Sequence, residues 1–506
     1  MVRPRGRTRL PEVIPAVVAM VIGLWGIATP SFWRDESVSV LAAAMPIGDL
    51  WNLLDSIDRV HALYYLMLRP VAAISTGEPA MRLPSVLATA AAAYGIAVLG
   101  GRLATPRAGL LAGLCYAALP MVSRYAQETR SYAIVTAVAV LATWVLIEAT
   151  RRSSRRWYLG YAACLVLLGW LHVYALLLVV AHAVTVAVWH RRDDVSSTEA
   201  SRRGIAPVVS PRRDSSSATA PRPGIARFAG ALTVAGAGIA PLALLAAGQR
   251  EAQLSWLQSP EFVDVARFGK EITGSAWPVL PLAALVIFGA ISGGRLTGVA
   301  LPWALLPLLS MAISQIHPVY SPRYLLFAVP AMALLAGAGL DALRPRASAW
   351  AGLALVAALT VPAHLTIREP DTRPDDLRSM AATLLAEQRP GDAVLYVKEN
   401  WRLFAAVYGD AYRNLRDLTY APGQTAPRTA AQFTAALDGV ERVWVVTGGR
   451  KRQNSAFVEE DERYLALMGN RDFVLRSTDD FGYSWIGLYV RRPACCGATR
   501  SSGASR

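Results

Sequence analysis

The chain has 506 residues, 54% of them hydrophobic and only 17% charged, with a formal net charge of +15. That length excludes one small domain, and the positive charge, which would point to nucleic acid in a soluble protein, is here largely Arg clustered between long apolar runs, so membrane topology accounts for it and no nucleic-acid partner is implied. The four cysteines form neither a disulfide framework nor a zinc motif: Cys115 and Cys164 lie inside apolar runs, while Cys495 and Cys496 are neighbours in a tail.

Residues 1–10 carry Arg3, Arg5, Arg7 and Arg9, which favour the cytoplasmic side, and they lead straight into an apolar run at 11–29. No small-residue cleavage site follows, so this run reads as an uncleaved first span. A mixed, amphipathic first outer loop over 30–82 holds Asp35, Glu36, Asp49, Asp55 and Asp58, and its apolar portion at 63–68 is too short to span and reads as a surface helix. Spans follow at 83–100, 108–122 and 132–149. Basic residues at 101–107 and at 151–156 mark the inner turns, and 123–130 forms an outer loop.

The apolar stretch 157–190 accommodates two short spans that turn outside at His172 and Tyr174. Residues 191–227, rich in Arg and Ser, read as a disordered cytoplasmic loop. Further spans are expected at 228–247, 276–292, 298–315, 325–342 and 348–365, with an outer loop at 317–324 and Arg295, Arg344 and Arg346 inside. The expectation is a polytopic α-helical membrane protein of about eleven transmembrane helices. It is multi-pass in the plasma membrane, with residues 1–365 as the membrane domain, a cytoplasmic N-terminus and an outer C-terminus.

After 366 the pattern changes. Strand-like segments at 393–397, 442–447, 473–476 and 485–490 alternate with helical spacing over 374–388, 429–438 and 455–469. Residues 366–493 are thus expected to form an extracytoplasmic α/β domain, and 494–506 a disordered tail.

The chemistry-bearing residues collect at the outer ends of the expected spans. Asp35 and Glu36 follow the first span, where two acids cannot sit in hydrocarbon and where a membrane enzyme would deprotonate an acceptor hydroxyl. His61, Tyr64 and Tyr65, then Glu128, Arg130 and Tyr132, then His172, then His317, Tyr320, Arg323 and Tyr324 fall on the same side. Each has a bland counterpart. An acid pair is often a solvated loop, Arg130 with Glu128 a local ion pair, the histidines interfacial residues, and Arg323 between two tyrosines a headgroup anchor. Their convergence on one face favours an outward-facing site.

Asp35-Glu36 after the first span, His61-Ala62-Leu63-Tyr64-Tyr65, Arg82-Leu83-Pro84-Ser85, Tyr125 with Glu128-Thr129-Arg130-Ser131-Tyr132, and Arg323-Tyr324 together resemble the GT-C glycosyltransferases. The nearest group is the protein O-mannosyltransferase and lipid A aminoarabinose transferase type, and the resemblance covers 11–345. That family's His-Pro-Pro-Leu-Tyr-Tyr is here one residue shorter and lacks its prolines.

The resemblance implies a sugar donor on a polyprenyl monophosphate, mannose first among the sugars, and a glycan or glycolipid acceptor of the cell envelope. It assigns Asp35 as general base, with Glu36 orienting a substrate or assisting Asp35. Arg130 and Arg323 would stand on the leaving phosphate, and His61, Tyr64 and His172 on sugar or phosphate oxygens. Transfer would invert the sugar carbon. No cofactor is expected, and metal independence is favoured over a divalent ion at Asp35 and Glu36. Two other classes compete: a lipid or glycan transporter, which would show internal repeats, and a noncatalytic envelope-assembly protein.

Overall fold

The structure, a computed structural model, describes residues 10–56, 58–202, 223–246, 257–398, 400–424, 426–448 and 461–493. It divides into two compact units. One takes the chain up to Ala28 and again from Ala42 to Arg368; the other takes Thr29 to Leu41 and the chain from Glu369 onward.

The first unit is helical. Its elements are α1 (Leu10–Leu24), the C-terminal end of α2 (Arg34–Ala44), α3 (Ile47–Ser56), α4 (Ala62–Ala72), α5 (Glu78–Leu103), α6 (Pro106–Ala117), α7 (Pro120–Ala126), α8 (Tyr132–Arg152), α9 (Arg155–Leu171), α10 (Leu178–Arg202), α11 (Pro223–Ala246), α12 (Val263–Thr273), α13 (Val279–Ser292), α14 (Thr297–Ala304), α15 (Leu306–Ile313), α16 (Val329–Ala342) and α17 (Ala347–Thr366).

Among the described residues, six helical stretches are long and apolar enough to cross a membrane: Glu78–Leu103, Tyr132–Arg152, Val173–Arg191, Gly224–Leu245, Pro322–Ala342 and Ala347–Thr366. Other expected spans fall on shorter apolar helices, α1, α13 and the α14–α15 pair. Two expected spans are broken where proline opens a new helix: Pro120 starts α7 after α6, and Pro307 lies in the first turn of α15. Of the loop expected over 191–227, residues 191–202 continue α10 and 223–227 begin α11, while 203–222 lie outside the described residues. Extending an existing helix costs far less than nucleating one, so polar residues can prolong a turn begun by apolar ones.

The membrane-type helices meet through small residues. A methyl added at Gly109 of α6 would overlap the Ala97 carbonyl of α5, one at Gly289 of α13 the Leu335 carbonyl of α16, and one at Gly337 of α16 would lie 2.6 Å from the Ala108 carbonyl of α6. Backbones this close gain dispersion contact that lipid tails cannot match.

Polar groups gather at two opposite helix ends. At the C-terminal ends of α5, α8 and α16, buried Glu148 pairs with Arg102 and Arg152, and Asp341 pairs with Arg107 and accepts from Thr105. At the other end the last carbonyls of α1 are capped from three distant helices. Arg82 donates to Ile27 O (2.8 Å), Gln127 Nε2 to Gly23 O and Trp25 O (2.9 and 2.6 Å), and Arg368 to Trp25 O and Ile22 O (2.7 and 2.6 Å). Gly26, at φ 69°, ends α1 in the left-handed region that favours glycine.

The second unit holds a five-stranded sheet in the order β2-β1-β3-β5-β4, with β1 (Ala393–Tyr396), β2 (Arg416–Asp417), β3 (Arg442–Gly448), β4 (Phe473–Phe481) and β5 (Ser484–Arg491). β1 runs parallel to β2 and β3, whereas β5 is antiparallel to β3 and β4. The helices α18 (Leu377–Glu387), α19 (Asn400–Ala405), α20 (Ala430–Ala436) and α21 (Glu462–Gly469) cover it. Strand periodicity sends Val394, Tyr396, Trp444 and Ile486 into one core with Leu377 and Met380, and Leu395, Val443 and Val445 into the other with Phe433 and Tyr464. Both faces are therefore covered, which is why β1 and the centre of β3 read as unbroken apolar runs.

The domain boundary expected at 365/366 needs one correction. Residues 29–41, expected to belong to the membrane domain's outer loop, group with the C-terminal unit. The cause is a set of contacts spanning more than three hundred residues. Arg34 Nε pairs with Asp375 Oδ2 (3.1 Å), the Arg378 amide donates to Ser31 Oγ (3.0 Å), and the Phe32 amide donates to Tyr408 Oη (3.1 Å).

Candidate active site

In the helical unit, four chain breaks deliver polar side chains to one place. Asp58, with φ 57°, turns the chain into a short 3-10 turn that ends at His61, and Tyr65 one helical turn later donates to Asp58 Oδ2 (2.9 Å). Ser85 Oγ on α5 donates to the Glu128 carbonyl (2.7 Å), which fixes the 128–130 loop ahead of α8. Ser131 Oγ donates to Leu171 O (3.1 Å) and ties the start of α8 to the end of α9. His172 is fully extended (φ −168°), so α9 stops and the chain re-enters as a 3-10 turn. A second 3-10 turn, Pro322–Ala328, presents Arg323 and Tyr324 ahead of α16.

The side chains so delivered touch. Arg130 Nη2 lies 2.9 Å from His61 Nε2. Because a guanidinium only donates, His61 Nε2 must be the acceptor, which leaves the ring proton on Nδ1. Tyr132 packs its ring against Tyr125 (5.4 Å between centroids), His172 (5.7 Å) and Tyr324 (6.2 Å), and His172 sits 5.0 Å from Tyr324. The Arg323 guanidinium lies 5.4 Å over the Tyr324 ring.

Burial, then Arg130, His172 and Arg323, hold the His61 imidazole well below its ordinary range; burial, then Arg130 and Arg323, push His172 down to about 3. Both rings are thus neutral near pH 7, beside two permanent cations. The result is a cluster of two guanidiniums, two neutral imidazoles and aromatic faces, with the carboxylates of Glu128 and Asp58 beside it, whose donors could meet a phosphate or a polyol. His172 Nδ1 is buried with no hydrogen-bond partner among the described residues.

Of the other expected residues in this unit, Tyr64 and Tyr65 are buried with rings 6.4 Å apart, and Glu128 is buried. Tyr320 is buried as well; its phenol is pushed up by burial first and then by Asp264 and Glu271 of α12. His317 stands exposed on its loop. The sequence reading missed Asp58, whose spacing to Tyr65 was a usable signal, and Tyr174, which was noted only as a turn marker but lies 6.0 Å from Tyr324.

Asp35 and Glu36 belong to the other unit. They occupy the first turn of α2. Glu36 is buried and Asp35 half-buried. Preceding them, Arg34 is gripped by Asp375 and lies 5.4 Å over the Tyr483 ring. Burial raises Asp375 to about 6 against the pull of Arg34, and the nearby Asp35 charge adds to the rise. Among the described residues, no group of three His, Cys, Asp or Glu side chains could hold a metal ion.

Residues 61–206 match the family described as dolichyl-phosphate-mannose-protein mannosyltransferase. That span contains His61, Tyr64, Tyr65, Glu128, Arg130, Tyr132 and His172. The fold matches ArnT from Cupriavidus metallidurans in the apo state with a TM-score of 0.60 at 13% identity, covering 94% of this chain and 97% of that one. ArnT bound to undecaprenyl phosphate matches with the same score, identity and coverage. The chain shares the fold of ArnT. That similarity of fold covers nearly the whole length, including the C-terminal unit that the short motifs leave out. No curated protein matches this chain in sequence.

Proposed function

We propose that the protein is a membrane glycosyltransferase that moves a sugar, mannose first, from a polyprenyl monophosphate to a glycan or glycolipid acceptor of the cell envelope. The observation that carries this reading is the packing of Arg130 and Arg323 with two neutral histidines and stacked tyrosines; Arg130 and both histidines lie in the stretch that matches the mannosyltransferase family. The undecaprenyl phosphate held by the ArnT structure of the same fold supports a lipid-phosphate donor.

In this reading Asp35 accepts the proton of the acceptor hydroxyl as its oxygen attacks the anomeric carbon. The bond from that carbon to the phosphate oxygen breaks on the opposite face, so configuration inverts. Positive charge at the sugar carbon is transient, as in other glycosyl transfers. The lipid phosphate leaves with the bonding pair, and Arg130 and Arg323 offset its charge with paired hydrogen bonds. Glu36 orients a substrate or assists Asp35. The neutral His61 and His172 supply hydrogen bonds without adding charge. The reaction needs no cofactor and no metal. The reading places the chain in the plasma membrane with eleven spans, the N-terminus cytoplasmic and the sheet-bearing C-terminal unit outside.

The test is incubation of membranes with radiolabelled polyprenyl-phosphate-mannose and an envelope acceptor mixture, wild type against Asp35→Asn. Label transfer by the wild type and its loss in the variant are expected. Equal transfer by both would remove Asp35 as base, and no transfer from this donor by the wild type would remove mannose.

A further inference from the structure

Asp58 shows two features that a plain surface turn does not need. It holds the left-handed conformation (φ 57°, ψ 25°), which Asp adopts more readily than most residues but which is strained for any residue with a Cβ. It is also half-buried, and it forms no ion pair among the described residues. Arg59, next in the chain, turns away: it pairs with Asp55 (2.5 Å) and donates to Leu54 O (3.2 Å) and Leu245 O (2.7 Å). What the Asp58 carboxyl holds instead is the Tyr65 hydroxyl, at 2.9 Å.

Tyr65 is completely buried, so its ring meets no substrate and acts only on its neighbours. A phenol has one hydrogen to give, and Asp58 Oδ2 takes it. Burial first, and then the Asp58 charge, push the Tyr65 phenol up, so that hydrogen stays in place. The phenol oxygen is left to accept, and Arg130 hydrogen-bonds to it. Arg130 also donates to His61 Nε2 (2.9 Å), so its guanidinium is held by two residues at once.

The hold from Tyr65 depends on Asp58. A guanidinium only donates, so the phenol must turn its own hydrogen elsewhere before it can accept from Arg130. Asp58 supplies the acceptor that receives this hydrogen. A guanidinium fixed in this way meets a phosphate without first losing its rotamer freedom, and its fork keeps one orientation.

We propose that Asp58 is a positioning residue: acting through Tyr65, it fixes the Arg130 guanidinium that receives the phosphate of the lipid donor. The role rests on the lipid-phosphate reading of Arg130 above. The bland counterpart is a lock on the turn before α4. Loss of such a lock would weaken a polyprenyl lipid alike with or without its phosphate, whereas loss of the positioning role weakens the phosphate form alone.

The experiment uses purified full-length protein in detergent. Native mass spectrometry measures the ratio of its affinities for undecaprenyl phosphate and for undecaprenol, the same chain without the phosphate. The wild type is expected to favour the phosphate. The ratio should fall about tenfold in Tyr65→Phe and in Asp58→Gly, the factor for one hydrogen bond to a charged group, with undecaprenol binding unchanged. Phe keeps the packing of the ring, and Gly adopts the left-handed conformation without strain, so both variants keep the fold. The double variant should fall no further than either single one, because both changes break the same link. An unchanged ratio in either single variant, equal losses for the two lipids, or a double variant whose losses add overturns the positioning role and leaves the donor reading standing. Equal affinity of the wild type for the two lipids would remove the lipid-phosphate reading of Arg130 and this proposal with it.

Discussion

Asp375 offers a test of the C-terminal unit that does not depend on activity. Its carboxyl is raised from an ordinary value near 4 to about 6, so over that interval the folded protein binds a proton that the unfolded chain has released. Stability from this group is therefore fully present below about pH 4, falls as pH rises toward 6, and is flat above. The shift is roughly two units, and at about 1.4 kcal/mol per unit the loss across the window is about 3 kcal/mol. Asp375→Asn keeps the shape and an oxygen acceptor for Arg34 but cannot titrate. The assay is thermal unfolding of purified full-length protein followed by tryptophan fluorescence at several pH values from 4 to 7. Trp401, Trp444 and Trp485 report on the sheet-bearing unit. The wild-type midpoint should drop relative to that of Asp375→Asn as pH rises from 4 to 6, with no further divergence above. Parallel profiles for the two proteins would refute the reasoning, because Asp375 would then titrate alike folded and unfolded.

Four further outcomes follow. Asp35→Asn should lower turnover about 10²- to 10⁴-fold, the usual worth of a general base, and Arg323→Ala by a comparable factor, while both proteins still insert; near-normal rates in label-transfer assays would count against these roles. Because His172 is held near 3 by burial and by Arg130 and Arg323, its ring stays neutral across pH 5–8, so the kcat/KM profiles of wild type and His172→Gln should share one shape and differ only in height. Arg368→Ala removes charged hydrogen bonds to Ile22 O, Trp25 O, His364 O and Ser123 Oγ, and should cost about 3 kcal/mol or more in thermal or denaturant unfolding; an unchanged midpoint would show the α1 end to be held by Arg82 and Gln127 alone. Gly289→Val drives a side chain into the Leu335 backbone, which cannot rotate away, and should destabilise by about 3 kcal/mol, read as earlier aggregation on heating in detergent.

The long helices were legible because hydrocarbon thickness imposes a length and Arg marks their ends: α5, α8 and α17 lie within a few residues of the runs read from sequence. The strands were legible through their apolar runs, except β2, whose two residues carry no pattern. The helix breaks at Ala118–Leu119 and at Leu305 had a visible signal, since Pro120 and Pro307 lie just beyond them. Length alone concealed it. The grouping of residues 29–41 with the C-terminal unit had no local signal, because Arg34 and Asp375 are 341 positions apart and neither sits in a motif. The capping of α1 by Arg82, Gln127 and Arg368 was equally hidden: carbonyl acceptors carry no side-chain identity, so nothing in the sequence of α1 names its donors.

That capping sets a limit on how the protein can be cut. Arg368 is the last residue of the helical unit, and its guanidinium holds the final turn of α1 from 346 positions away. A truncation placed before it, at the apolar-to-polar switch near 365, would free the end of the first helix, while one placed after it would strip Arg34 and Phe32 of Asp375 and Tyr408. Residues 22–34 are thus tied twice to residues 368–408, so deleting the C-terminal unit strips contacts from the segment that carries the acid pair, whatever the deleted part does by itself.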